Sequence, residues 1–407
     1  MRLVGVGEMA LMSPPEAAGY QAQVLPGVAA IPREAWTALF PNDVEGWDYY
    51  VACEASPPPA FTFQAIVVTA QSRVVAAAPI FRLTYRLDTP LQGRWRFLGE
   101  WLNRHLPRLV NLPVMGLGSP LADRCHLGFA ADLSATQRTM AMRALIAGLD
   151  AHAVALGVPI LAVKDLADRD LGAADPALKE ARFTRVPSLP VATLDLPFAS
   201  EEDYLATLSS ATRKDMRRKL KSADLVRVEM RTSIAGIESE ILSLYDETRS
   251  QSGVDYGDFE KLSPGYFRGV MQSLGDRAVL MLYWRGEKLL GFNLLFVEKE
   301  RVIDKFIGMH YPQAREHNLY VLSWMTNVRF CLERGIRRLQ TGQTAYASKV
   351  RFGSRLEKSW LYYKHRGRVM NALFRTFGPL VPPDKADPDL AALAKKARRA
   401  RKAEPQA

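Results

Sequence analysis

The strongest constraint on the fold is an order of elements that occurs twice along the chain. In the first half, Phe61–Ala70 and Val74–Leu87 flank Gln71-Ser72-Arg73 and read as a β-hairpin. A stretch rich in Trp, Pro and Gly follows to about residue 133. Ser134–Leu156 then carries Met142, Leu145, Ile146 and Leu149 at helical spacing and ends at Gly157. Pro159–Leu166 reads as a buried strand, residues 175–181 as a short helix, and residues 187–196 as another strand. The second half repeats this. Asp276–Arg285 and Lys288–Val297 flank Gly286-Glu287, and Arg301–Tyr311 reads as a third strand. A helix over 316–334 ends at Gly335, and the strand Ile336–Thr341, a short helix over 345–352 and the strand Lys358–Arg366 complete the series. Arg182-Phe183 and Arg351-Phe352 close the two short helices alike.

Antiparallel strands that feed a helix and then a neighbouring strand give a mixed, mostly antiparallel, twisted sheet flanked by helices. The expected class is therefore α/β (α+β), with two such domains in tandem. A doubly wound nucleotide fold would alternate strand and helix throughout, and no GxGxxG follows a strand here. Residues 197–275 join the halves and read as mainly helical. Ser200 followed by Glu201, Glu202 and Asp203 predicts a helix start, with one helix running to Ser222. The expected units are 1–196, 197–380 and a basic tail, 381–407.

The formal charge of +11 is local. Ala211–Lys221 holds six basic residues and one acid, and Ala391–Lys402 holds six basic residues and no acid, so the rest of the chain is neutral in total. The first segment lacks the interleaved aromatics of a nucleic-acid platform, so a nucleic acid is not the expected partner. Contact with anionic cofactor phosphates or an anionic membrane surface is, since each basic residue near such a leaflet adds roughly 1 kcal/mol. Cys53, Cys125 and Cys331 are far apart and odd in number, and the six histidines lack HxH or HExxH spacing. That pattern predicts a reducing compartment and no metal site. No apolar run is long enough to span a bilayer, and the first residues make a poor secretory signal. The expected location is cytoplasmic, peripheral at the inner membrane where the basic segments touch it.

Chemistry concentrates in Glu333–Gly353, ERGIRRLQTGQTAYASKVRFG. Tyr346 and Lys349 lie three apart and share a helix face beside the strand exit at Gly342, where a phenol and an ammonium bind an anion and supply a proton. This segment resembles the closing motif of the FemAB-like and BioF2-like branch of the GNAT acyltransferase superfamily, through Gly335, Arg337, Gly342, Tyr346, Lys349 and Gly353. The helix bearing Arg213, Lys214, Arg217, Arg218 and Lys219 is similar to the basic helix that opens the second domain of those families. The stretch AAAPIFRLTYRL with Gly118-Ser119-Pro120 resembles their N-terminal part.

The resemblance implies tandem GNAT-type domains, with the active cleft in the second. It implies an N-acyltransferase that moves an acyl group from acyl-CoA or an acyl-carrier protein to an amine, a lipid amine such as a sphingoid base being one candidate. The alternatives are a FemAB-type aminoacyl-tRNA-dependent transferase and a catalytically silent double-GNAT binding protein. Residues 310–318 depart from the usual R/Q-x-x-G-x-G/A loop by lacking its glycines. Helix N-termini bind anions without glycine, so the expected cofactor set is Arg315, Asn318, Gly342, Lys349 and Arg351. Asp304, His310 and Tyr346 are the expected catalytic groups, since amide formation needs a base for the amine and an acid for the thiolate. Asn293, polar in an apolar strand, and Arg213 and Arg217 are the expected substrate contacts.

Overall fold

The computed structural model describes residues 19–86, 104, 111–251, 257–378 and 387–403. Leu87, most of the Trp-rich stretch, including Trp95, Trp101 and Pro107, and most of the linker before the basic tail lie outside the described residues. In chain order the first half gives β1 (Tyr20–Leu25), α1 (Arg33–Leu39), α2 (Trp47–Ala55), β2 (Thr62–Ala70), β3 (Arg73–Arg86), β4 (Asn111–Leu117), β5 (Gly128–Phe129), α3 (Ala135–Ala155), β6 (Ile160–Ala167), α4 (Leu171–Glu180), β7 (Thr184–Pro187) and β8 (Val191–Asp195). The connecting region gives α5 (Glu201–Thr207), α6 (Ser210–Ser222), β9 (Arg227–Arg231), α7 (Glu238–Ser250) and α8 (Tyr266–Leu274). The second half gives β10 (Ala278–Arg285), β11 (Lys288–Val297), β12 (Arg301–Met309), α9 (Gln313–Glu316), α10 (Leu319–Glu333), β13 (Arg338–Gly342), α11 (Tyr346–Arg351), β14 (Arg355–Glu357), β15 (Ser359–His365), α12 (Arg368–Phe377) and α13 (Pro388–Ala403).

Local chemistry explains the elements that were expected. Gln71 and Ser72 take left-handed φ values of 50° and 62°, the mirror-image turn that matches strand twist. Ser134 and Gln137 form a reciprocal capping box that starts α3. The helix expected over Ser200–Ser222 is two helices. Ser200 caps α5 with Asp203, the chain turns extended at Leu208, and Ser209 caps α6 afresh by accepting from the Thr212 N–H. The helix expected over 316–334 begins at Leu319, because Asn318 adopts a left-handed conformation and separates α9 from α10.

Two mixed sheets result, ordered β1-β2-β3-β4-β6-β15-β7 and β14-β8-β13-β12-β11-β10-β9. Each contains one parallel pair, β4 with β6 and β12 with β13, and is otherwise antiparallel. The halves exchange a strand. β7 stays at the edge of the first sheet, but β8 crosses into the second between β13 and β14. β14 stays in the second sheet, and β15 crosses into the first between β6 and β7. The stretch expected as one strand over 187–196 therefore spans two strands in different sheets, broken at Ser188–Pro190.

A buried polar network completes the junction. β12 carries a bulge: Leu294 faces Phe306 and Leu295 faces Asp304, leaving Lys305 as the extra residue. The Lys305 side chain is 3% exposed, and its Nζ donates to Glu45 Oε1 at 2.6 Å and to the Leu121 carbonyl at 2.5 Å. Arg301 donates to Glu298 at 2.8 and 2.9 Å and to Gln340 Oε1 at 2.8 Å, and Glu298 in turn accepts from the Val44 N–H at 3.1 Å. Asp43, Glu45 and His126 converge there, with Asp43 paired to Arg124 and His126 Nδ1 bonded to the Tyr50 hydroxyl at 2.6 Å. Removing one partner of a buried pair strands the other charge. Lys305→Met should therefore lower unfolding stability by about 3–5 kcal/mol in urea titrations. Adding Glu45→Gln to it should recover much of that loss, a coupling the double-mutant cycle would read directly.

Candidate active site

The parallel ladder between β12 and β13 spans only three residue pairs, Arg301–Ile303 against Arg338–Gln340. Beyond it, Asp304 and Thr341 both border a cavity of about 1380 Å³ that lies between the two sheets. Ligand pockets commonly measure 300–1,000 Å³, so this volume suits two substrates rather than one.

One end of the cavity is polar and catalytically furnished. The carboxylate of Asp304 accepts from Asn293 Nδ2 at 2.9 Å and from Asn327 Nδ2 at 3.0 Å. Loss of water pushes its pKa up to about 6, against the pull of those hydrogen bonds and of the Lys349 ammonium. Lys349 is buried and donates to the Thr341 and Gln343 carbonyls at 2.5 and 2.8 Å. Burial brings its pKa down to about 8, opposed by Asp304 and Asp123. Asp123 reaches this end from the first half, held by Gln340 Nε2 at 3.0 Å. Gly342 makes room for it: its φ is +71°, and a Cβ there would stand 3.3 Å from the Asp123 carboxylate.

The first turn of α10 borders the same cavity through Asn318, Tyr320 and Val321. Around it stand three cations. Arg315 lies over the Tyr311 ring at 5.1 Å, while Lys219 and Arg351 share Asp215 at 2.9 and 3.4 Å. Asn318, at φ +51°, makes the left-handed turn that separates α9 from α10. The other end of the cavity is apolar. Phe81, Leu83, Val114, Ile160 and Ala162 of the first sheet line it, with Leu361 of the exchanged strand and Phe374 of α12.

The structure thus brings Asp304, Lys349, Gly342, Arg315, Asn318 and Arg351 to one cavity. It places others elsewhere. Tyr346 is fully buried behind the cavity wall, its hydroxyl donating to the Pro190 carbonyl at 2.8 Å, because α11 is only six residues long and presses its first residue onto the segment before β8. His310 turns toward α7, its Nδ1 2.8 Å from Glu247 Oε2. Asn293 is fully buried between Asp304 and the Tyr283 hydroxyl, which donates to it at 3.0 Å. Arg213 and Arg217 line a shallow groove on the outer face of α6, apart from the cavity. Asp123 and Tyr320 were not expected at the site, and of the basic helix expected to meet cofactor phosphates Lys219 lines the cavity. No local signal marks Asp123, whose partner Gln340 is 217 residues away.

Residues 210–350 match the family described as Acetyltransferase (GNAT) domain. The chain carries a GNAT acetyltransferase domain. Most of the chain also resembles solved structures in fold. FemX aligns with a TM-score of 0.55 and 12% identity over 87% of this chain and 100% of its own. A tandem GNAT protein from the clavulanic acid biosynthesis pathway aligns at 0.51 and 14% over 85% and 99%. The C-terminal domain of a putative lysylphosphatidylglycerol synthetase from Agrobacterium fabrum aligns at 0.51 and 13% over 84% and 95%. No curated protein sequence matches the chain significantly. The architecture is that of a GNAT-type acyltransferase, with α6 opening and α11 closing the matched domain.

The position of Tyr346 generates a direct check. Tyr346→Phe removes a buried donor and leaves the Pro190 carbonyl unpaired, so it should cost about 1–2 kcal/mol of stability. Acyl-transfer turnover per folded molecule should keep its pH profile; a shifted profile would return the phenol to the chemistry.

Proposed function

We propose that this GNAT protein is an N-acyltransferase that uses acyl-CoA to acylate an amine bearing an aliphatic tail, a sphingoid base being one member of that class. The observation that carries this reading is the single cavity that joins an acid–base end to an apolar end. An acyl-carrier protein would present the same thioester. The cationic rim of Arg315, Lys219 and Arg351 beside the first turn of α10 suits the donor's phosphates. The acyl thioester then lies in the splay between β12 and β13, and the amine approaches from the side of Asp123 and Asp304. We keep 1–196 and 197–380 as the two units, each lending a strand to the other, with 381–407 as a tail beyond them.

In the transfer, the amine nitrogen attacks the thioester carbonyl, the N–C bond forms and the C–S bond breaks. Asp304 takes the amine proton, its two Asn partners holding the carboxylate in place. Lys349 gives a proton to the leaving thiolate; an ammonium near 8 is well matched to a thiol. Tyr320, whose hydroxyl burial keeps protonated, borders the same space. His310 and Tyr346 have no step in this scheme, and Asn293 acts by positioning Asp304.

Ionised Asp304 and protonated Lys349 are both required, so the rate should rise as pH passes about 6 and fall as it passes about 8. Thiol release from palmitoyl-CoA in the presence of long-chain amines would measure this. Asp304→Asn should lower turnover on the order of 10²–10⁴-fold and erase the acidic limb. An unchanged limb would remove Asp304 from the role of base. Filling the apolar end with Ala162→Trp should abolish stabilisation by long-chain amines while thermal stabilisation by acetyl-CoA persists. Stabilisation by an aminoacyl-tRNA with none by CoA thioesters would overturn the donor assignment in favour of FemAB-type chemistry.

A further inference from the structure

α12 is amphipathic in an unusual position. At helical spacing Val369, Met370, Leu373 and Phe374 form one apolar arc. Met370, Leu373 and Phe374 line the apolar end of the cavity. The outer part of the arc continues into solvent, with Val369 76%, Met370 41% and Leu373 44% exposed. Asn371 anchors the opposite side, accepting from the His365 N–H at 3.0 Å and donating to the Arg182 carbonyl at 3.1 Å. The arc is therefore fixed as a lip of the cavity, facing both inward and outward.

The surroundings of this lip are cationic. Residues 364–378 hold four basic residues and no acid; Lys364 and Arg366 face Asp150 of α3 at 3.2 and 3.9 Å, while Arg368 and Arg375 on α12 are exposed. Lys395, Lys396 and Arg398 are exposed on α13, whose first turn packs on α11 through Asp389, which accepts from the Ala347 N–H at 3.0 Å. A second copy of the chain is a poor occupant for this face. A two-fold contact would set the α12 arginines against the same arginines, with no acid on the helix to offset them. An anionic lipid surface meets both demands, accepting apolar side chains at the acyl boundary and cations at the headgroups.

We infer that α12 is a membrane-docking helix that seats the cavity mouth on an anionic lipid surface, with the exposed cations of α13 adding long-range attraction. The inference rests on the aliphatic-tail reading of the same cavity, because a tail leaving the apolar end would pass along α12 into the acyl layer without crossing water.

The test uses the full chain and vesicles of phosphatidylglycerol mixed with phosphatidylcholine, against phosphatidylcholine alone. Salt-sensitive co-sedimentation with the mixed vesicles is expected. Val369→Asp, and separately Lys395→Glu with Lys396→Glu, should each weaken it by roughly tenfold. Val369 does not line the cavity, so thermal stabilisation by palmitoyl-CoA should be unchanged in Val369→Asp. Absence of vesicle binding at low salt, or equal binding by Val369→Asp, would overturn the inference. A dimer in sedimentation velocity that Val369→Asp dissolves would overturn it in favour of a second copy. Vesicle binding lost in Val369→Asp, in a protein that no CoA thioester stabilises, would uphold the docking surface and sink the transfer reading.

Discussion

The geometry of the site depends on one buried cation. Lys305 exists as a bulge residue, so β12 can send Asp304 and Lys305 to different neighbours at the place where it parts from β13. Its ammonium is held between Glu45 and the Leu121 carbonyl, both contributed by the first half of the chain. That grip brings the loop around residues 121–126 down onto the second sheet, and Asp123 arrives with it beside Gly342. Without the ion pair, neither the floor carboxylates nor the roof of the cavity would be fixed relative to each other. The net contribution of a buried pair of this kind to stability is small, because desolvation offsets most of the Coulomb attraction.

Strand exchange serves the same end by different means. β8 and β15 each add hydrogen-bonded ladders in the sheet of the opposite half, so the two sheets cannot separate without breaking backbone pairing. The crossing also decides what lines the cavity. Leu361 of β15 joins the apolar wall built on β3, β4 and β6, and the helix that follows β15 is the lip itself. A cavity between two sheets tied in this way is open at its rim and rigid at its floor. That combination suits reactions in which a large donor and a large acceptor must meet at a few atoms.

How far the sequence could be read follows from what is local. Hairpins, the helix start at Ser134 and the helix ends at Gly157 and Gly335 are set by residues within a few positions of one another, and they stand where spacing placed them. Asp304 and Lys349 were also legible, because a carboxylate inside a strand and a lysine after a glycine exit are unusual in themselves. The strand exchange was not. Val191–Asp195 and Ser359–His365 carry the alternation of any final strand, and nothing local says which sheet receives them. Tyr346 shows the limit of helical spacing. It shares an inward face with Lys349, yet the strand edge beneath α11 lets the lysine reach the Thr341 carbonyl at the cavity and leaves the phenol against Pro190. Asp123 was out of reach for the opposite reason, since its partner Gln340 is 217 residues away.

The charge of the chain also acquires a division that its sum of +11 conceals. On α6, Asp215 holds Lys219 and Arg351 together at the cavity, while Arg213 and Arg217 point away to a shallow outer groove. Arg218 also pairs with Asp215, at 2.8 Å, yet lines the outer groove, so the division follows the two faces of α6 and not the presence of an acid. Exposed cations on α6 and α13 act over about a Debye length, so any attraction they exert falls as salt rises.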